Sequence, residues 1–271
     1  MRVTFDSNVW EFIVRPEAHR KNPHYDDFST VHGAIKSGRI KPFISETFAT
    51  VEAIKRRVRF EYLEDRPIPI KIEHEKSDER RINSTISIIA DPDAHPGLMP
   101  ILKDRLSEAF ALGFKIIPST RLGTLRPPEL QREEHRIELT DEHRKNIWVL
   151  MQKIDDACSA IERRGVGMSQ LVEIAKRIQA RLNMQDVAWF DGLNRARDEA
   201  EKGKIALAFS EWADGDSVAL HIGYELDVFC THDKAKPGRP SVFDQQNRDW
   251  LSKIYHVRFM SIGELAAAVK G

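Results

Sequence analysis

The sequence predicts an α/β fold: a parallel sheet sandwiched between helices, with a large, mostly α-helical insertion. Three observations predict it. Val3-Thr4-Phe5 is a short apolar strand that runs straight into Asp6, and Val228-Phe229-Cys230-Thr231-His232-Asp233 repeats that layout near the other end. Both ends of the chain alternate strand and helix, the pattern of a parallel sheet. The middle, about residues 125–210, reads as nearly all helix.

The elements follow in order. Residues 2–5 read as a buried strand and Asp27 to Ser37 as a helix. Lys41-Pro42-Phe43-Ile44 is a short extended approach to Ser45, which caps a helix running to about Tyr62. Phe48, Val51, Ile54, Val58 and Tyr62 recur there at helical spacing. From Glu64 to about Pro100 the pattern degrades through Pro67, Pro69, Pro92 and Pro96, and an insertion or mobile loop is expected. Ile101 to Leu112 returns to helix, ended by Gly113 as C-cap. Phe114 to Ile117 is a strand, and Arg121 to Glu138 an irregular stretch around Pro127-Pro128.

Residues 141–163 and 169–182 read as two long helices joined by Arg164-Gly165-Val166-Gly167, an antiparallel helical hairpin. Residues 184–213 continue as helix, Ser217 to Leu226 forms one more, and Asp227 to Cys230 is a strand. Arg248 to Tyr255, Val257 to Met260 and Ile262 to Val269 close the chain as helix, strand and helix.

Lys+Arg and Asp+Glu are both 42 in 271 residues, so overall charge argues neither for nor against a nucleic-acid partner. Cys158 and Cys230 make neither a disulfide framework nor a zinc spacing, which suits a reducing, cytoplasmic setting. The N-terminus lacks the basic and apolar regions of a signal peptide. No apolar run approaches the roughly 18 residues of a membrane span.

Strand C-terminal ends collect at one edge of an open parallel sheet, and ligands bind there. Asp6 and Asp233, from opposite ends of the chain, therefore suggest one carboxylate cluster at that edge. Such a cluster suits Mg²⁺ or Mn²⁺, which take oxygen ligands. Crowded carboxylates repel one another unless a cation compensates.

In their joint order, these motifs resemble PIN-domain ribonucleases. The match runs through Asp6-Ser7-Asn8, the Ser45-capped helix carrying Glu46 and Glu52, Asp216-Ser217-Val218-Ala219-Leu220, and Thr231-His232-Asp233. The last strand and the helix holding Gly263-Glu264-Leu265 fit the family's ending. The resemblance covers roughly residues 1–60, 100–122 and 205–271. It implies a PIN-like catalytic core of 1–63 and 205–271 with about 100–122, and insertions at about 64–99 and 123–204.

The resemblance further implies a metal-dependent endoribonuclease. Asp6 would be the central Mg²⁺ or Mn²⁺ ligand, with Glu52, Asp216 and Asp233 completing the site. A metal activates the attacking water, and a second, about 3.5–4 Å away, stabilises the leaving oxygen. Asn8, Ser45 and Thr231 would orient the carboxylates or grip a phosphate oxygen. Products would carry a 5′-phosphate and a 3′-hydroxyl. The surplus helix invites a toxin-like reading with a protein antitoxin or inhibitor, a role in substrate selection, or a homo-oligomer.

Each residue also has a plainer role. Asp6 and Asp233 could be turn or cap residues. Glu46 sits in a first helical turn, where the helix dipole favours an acid, so Glu52 is preferred as the ligand. Asp214 competes with Asp216 as either ligand or N-cap. Asp216 is preferred because it puts Ala219 and Gly223 on one face for tight packing against the sheet.

Lys55-Arg56-Arg57-Val58-Arg59 is either a solvated face or a phosphate-contacting stripe beside the acids, with Arg121 a weaker RNA contact. Asp91-Pro92-Asp93-Ala94-His95 reads as a turn. Trp148, Met151, Ile154 and Ile161 read as core. Two other functions remain open: a non-catalytic RNA-binding or scaffold module, and a metal-dependent phosphohydrolase acting on a small phosphate ester.

Overall fold

The computed structural model describes residues 1–48, 70–78, 81–88, 98, 100–121, 130, 132–184, 189–235, 238 and 240–270, with 70–78 and 81–88 described by their backbone. Its strands are β1 (Arg2–Phe5), β2 (Lys41–Ser45), β3 (Ile70–Asp78), β4 (Arg81–Ile88), β5 (Lys115–Ile117), β6 (Val228–Cys230) and β7 (Phe259–Met260). Five of them form one sheet in the order β5-β2-β1-β6-β7, and every pairing is parallel. The α/β class and the parallel sheet are as the sequence predicts.

Parallel sheets are covered on both faces, so their strands are short apolar runs. Successive residues of a strand point to opposite faces, and here they feed two cores. Val3, Phe5, Ile44, Ile116, Val228 and Cys230 enter one core. Its other wall is α1 (Trp10–Val14), α2 (Tyr25–Lys36), α3 (Pro100–Leu112) and the last helix. Phe43, Ile117 and Phe229 enter the second core. Thr4 faces that side too, and its hydroxyl meets the buried His221 at 2.8 Å. Burial pulls the His221 pKa down to about 3, so the ring is neutral.

The remaining helices are α4 (Asp141–Lys145), α5 (Ile147–Glu162), α6 (Ser169–Arg181), α7 (Glu199–Gly223), α8 (Gln245–Tyr255) and α9 (Ile262–Lys270). The predicted helix over 141–163 is divided at Asn146. Thr140 caps its first piece by accepting the His143 N–H at 3.1 Å.

Helix α7 departs most from the sequence reading. It is one 25-residue helix, capped by Asp198, whose side chain accepts the Glu201 N–H at 2.8 Å. Asp214 and Asp216 are therefore interior residues, not caps. Without a proline between Glu199 and Gly223, nothing in the sequence stops the helix. Helix α5 packs chiefly on α7, and α6 packs on the 3-10 segment Trp189–Arg195 and on α7, rather than the two pairing with each other as a hairpin. Small residues allow this approach. A Cβ on Gly215 would stand 3.0 Å from the Gly167 Cα, and one on Gly223 would collide with the Ile154 side chain. The tight face predicted for Gly223 thus meets α5, not the sheet.

Three further expectations change. Lys41 to Ser45 is a full strand paired with β1. The segment read as a loop contains the antiparallel hairpin β3–β4, whose register opposes Ile70 to Ile88 and Ile72 to Ile86. The prolines that suggested a loop flank this hairpin rather than interrupt it. Ile154 and Ile161 are core, whereas Trp148 is 78% exposed. Asp91 to His95 lies outside the described residues.

A Cβ at Gly33 in α2 meets nothing within 4 Å. Urea denaturation is expected to give a gain of about 0.5–1 kcal/mol for Gly33→Ala, since glycine weakens a helix interior. Gly223→Ala is expected to lose about 1–3 kcal/mol through overpacking against Ile154.

Candidate functional site

The parallel register delivers polar residues to one edge. Phe5 pairs with Cys230, and the Asp6 N–H continues the ladder to the Cys230 carbonyl at 3.0 Å. Asp6 and Thr231 therefore emerge side by side. The Asp6 carboxylate is 4% exposed. It accepts the Ser7 N–H at 2.7 Å on Oδ1, and the Asn8 amide at 2.8 Å and Thr231 hydroxyl at 2.5 Å on Oδ2. Asn8 also accepts the His232 N–H at 3.0 Å. Thr231 Oγ1 accepts the Asp233 N–H at 2.9 Å, and Asp233 Oδ1 accepts the Ala235 N–H at 2.8 Å. The structure thus brings together Asp6, Asn8, Thr231 and Asp233, and Thr231 links the two acids.

Sequence reasoning missed Arg248 beside them. Its guanidinium donates to the Asp233 carbonyl and, at 2.9 Å, to the Phe243 carbonyl. It also lies over the Phe243 and Phe259 rings. Burial lowers its pKa, against the attraction of Asp233, Asp6 and Glu264. No spacing in the sequence ties α8 to the strand ends. Glu264 has a local task as well: it caps α9 by accepting the Ser261 N–H at 2.7 Å.

Asp216 belongs to a different cluster. It lies within α7, 2% exposed. Its Oδ1 accepts Arg121 Nη1 at 3.0 Å and faces Cys158 Sγ at 3.9 Å. Its Oδ2 accepts the hydroxyls of Thr47 at 3.1 Å and Ser119 at 3.3 Å. Arg121 also binds Glu162 at 2.5 Å. Burial opposes the Arg121 charge, but Asp216, aided by Glu162, holds its pKa above the ordinary value. Arg121 is therefore an internal counter-ion, not the open RNA contact expected of it. Burial pushes the Cys158 thiol up to about 12, so it stays protonated.

The other expected residues have local partners. Ser45 shares a hydrogen bond of 2.5 Å with Ser217 and accepts the Phe48 N–H at 3.3 Å, its predicted capping role. Glu46 is fully buried and accepts the Ser119 N–H at 2.8 Å, which ties the end of β2 to the end of β5. Asp214 is half-buried. Glu52, Arg56, Arg57 and Arg59 lie outside the described residues. Among the described residues, no group of three or more His, Cys, Asp or Glu side chains is arranged to hold a metal ion.

Glu211 is a further buried acid on α7. It accepts the Val242 N–H at 2.6 Å and the Gly167 N–H at 3.4 Å. Burial raises its pKa to about 7 against these bonds, and the nearby Asp233 charge adds to the rise. Comparison of the chain with protein-family models, curated proteins and solved structures found no match. Among the described residues, no helix is long and apolar enough to cross a membrane.

Two outcomes follow. Arg121→Met strands the buried Asp216 charge and is expected to cost about 3–5 kcal/mol. Arg121→Met with Asp216→Asn is expected to recover much of that loss in urea denaturation. The Glu211 pKa is raised in the fold from an ordinary 4.5 to about 7. Between those values the folded state binds more protons than the unfolded state, so stability falls as pH rises through that window. A pH series of Tm on Glu211→Gln should be flatter there than that of the wild type.

Proposed function

We propose that this protein is a metal-dependent endoribonuclease of PIN-like architecture. The observation that carries the reading is the Asp6 carboxylate, held at the C-terminal edge of a central parallel strand by Asn8 and Thr231, with Asp233 attached through the same threonine. The order β5-β2-β1-β6-β7, with the first strand at its centre, supports the architecture.

The residues fit a hard divalent cation in part. Asp6 and Asp233 offer anionic oxygens on adjacent strand ends, the ligand type that Mg²⁺ and Mn²⁺ take. Asp216 does not fit, because Arg121 already neutralises it. Asp6 and Asp233 would hold the cation, together with Glu52. The bound cation would supply Lewis-acid polarisation of the scissile phosphate and neutralise charge as it develops.

The chain's own groups do the rest. Ser7, Asn8 and Thr231 fix the orientation of Asp6. Arg248 holds the Asp233 backbone and adds a positive charge beside two carboxylates. The toxin-like role, with a protein antitoxin, and the cytoplasmic setting belong to the same proposal. The pairing of Asp216 with Arg121 favours one alternative, an RNA-binding module without turnover, because it removes an acid from the expected ligand set.

Cleavage of a mixed-sequence RNA with Mg²⁺ or Mn²⁺ tests the reading. Wild type should cut, and Asp6→Asn, which keeps shape but removes the ligand charge, should reduce the rate by a factor of about 10² or more. Chelation should abolish cutting. A folded wild type that binds RNA and never cuts with either metal would sink the nuclease and leave the binding module.

A further inference from the structure

A cavity of about 710 Å³ is lined in part by Lys234 and Ala235, the two residues that follow Asp233. Its lining joins two parts of the chain that sequence reading kept separate. Arg163, Arg164 and Val166 come from the end of α5 and the turn after it, within the helical insertion. Lys234, Ala235, Gly238 and Pro240 come from the segment that follows Asp233, and Asp244, Gln246 and Asn247 from the start of α8. Ala235 donates its N–H to Asp233, so the wall of the cavity and the acidic site share a backbone segment.

Charge in this cavity is unbalanced. Among the described residues, the lining has three cations, Arg163, Arg164 and Lys234, against the single acid Asp244. Asp244 is committed to capping α8, where it accepts the Asn247 N–H at 2.7 Å and its side-chain amide at 3.1 Å. No carboxylate among the described residues forms an ion pair with any of the three cations. The stretch Lys234 to Pro240 carries no acid at all. Arg164 is also held in place, donating to Asn247 Oδ1 and lying 4.7 Å from the Trp250 ring centroid. Gln246 and Asn247 add neutral polar groups to the wall.

We infer that this cavity binds the phosphate backbone of single-stranded RNA and leads it across Asp233. A polyanion must approach carboxylates to be cut, and arginine and lysine charges next to them offset that repulsion. The ligand class rests on the nuclease reading, but the cavity's phosphate affinity does not require turnover. The inference also gives the helical insertion a task, because it supplies Arg163 and Arg164.

Anisotropy of a fluorescein-labelled, mixed-sequence single-stranded RNA tests this in EDTA, so that cleavage plays no part. The variant Arg163→Glu/Lys234→Glu should weaken binding about tenfold or more, and its salt slope should fall by about 1.4, the value for two lost contacts on a single strand. Arg163→Gln/Lys234→Gln should show a smaller loss in the same direction and guards against a folding defect. Lys204→Glu/Lys253→Glu, an equal change of charge on exposed residues outside the cavity, should bind within about twofold of wild type.

Unchanged affinity in both cavity variants, an equal loss in the control, or a wild type without RNA affinity would each overturn the inference. The nuclease reading fails separately. Wild type that binds through the cavity but never cuts with Mg²⁺ or Mn²⁺ loses the nuclease and keeps the phosphate site. Wild type that cuts while the cavity variants bind and cut normally keeps the nuclease and loses the site.

Discussion

Strand β1 is hydrogen-bonded on both sides, to β2 and to β6, and the candidate site depends on that central position. Because both neighbours run parallel to it, their C-terminal ends lie at one edge with β1's own. Thr4 and Phe5 oppose Phe229 and Cys230 in register, so Asp6 and Thr231 must emerge together. A slip of one residue would turn the side chains of β1 to the wrong faces. It would send Val3 and Phe5 away from the core they fill and would separate the Asp6 carboxylate from the Thr231 hydroxyl. Packing on both faces of β1 thus sets the geometry of a polar site that contributes little apolar contact itself.

Asp6 and Asp216 illustrate two solutions to burying a carboxylate. Removing a charge from water is costly unless hydrogen bonds or an opposite charge replace the lost hydration. Asp6 accepts hydrogen bonds from neutral donors, among them one backbone N–H, one amide and one hydroxyl. Asp216 is satisfied by a guanidinium that is itself braced by Glu162. Asp216 thereby helps bind α7 and α5 to the loop after β5. The same logic explains Glu211. The Val242 and Gly167 N–H groups and the Ser241 hydroxyl do not offset its burial fully, and its pKa stays raised.

Helix α7 couples the sheet to helices α5 and α6. Its C-terminal half lies in the core beneath Phe43, Ile117 and Phe229. Its N-terminal half forms a smaller core with α6, through Ile205, Ala208, Phe209 and Trp212 against Leu171, Ala175 and Ile178. Gly215 marks the crossing point, where the turn at Gly167 approaches the helix backbone. That contact brings the end of α5, with Arg163 and Arg164, toward the segment after Asp233. Helices α5 and α6 are therefore tied to the sheet through packed helix and backbone contacts.

The sequence by itself determined the α/β class and the boundaries of β1, β6, α3, α8 and α9 to within a few residues. These are local or periodic properties: apolar runs, caps at Ser45 and Gly113, and a repeated strand-then-acid layout at the two ends. The β3–β4 hairpin was readable in principle from its alternating isoleucines but was hidden by flanking prolines and charge. Only the tertiary structure decided that α7 is continuous, that Arg121 and Glu162 neutralise Asp216, and that Arg248 and the Arg163 turn border Asp233. Those outcomes depend on contacts between residues far apart in the chain, where a long-range counter-ion or a glycine-to-glycine approach decides whether a buried acid or a helix interior is tolerated. Residue spacing carries no record of such partners.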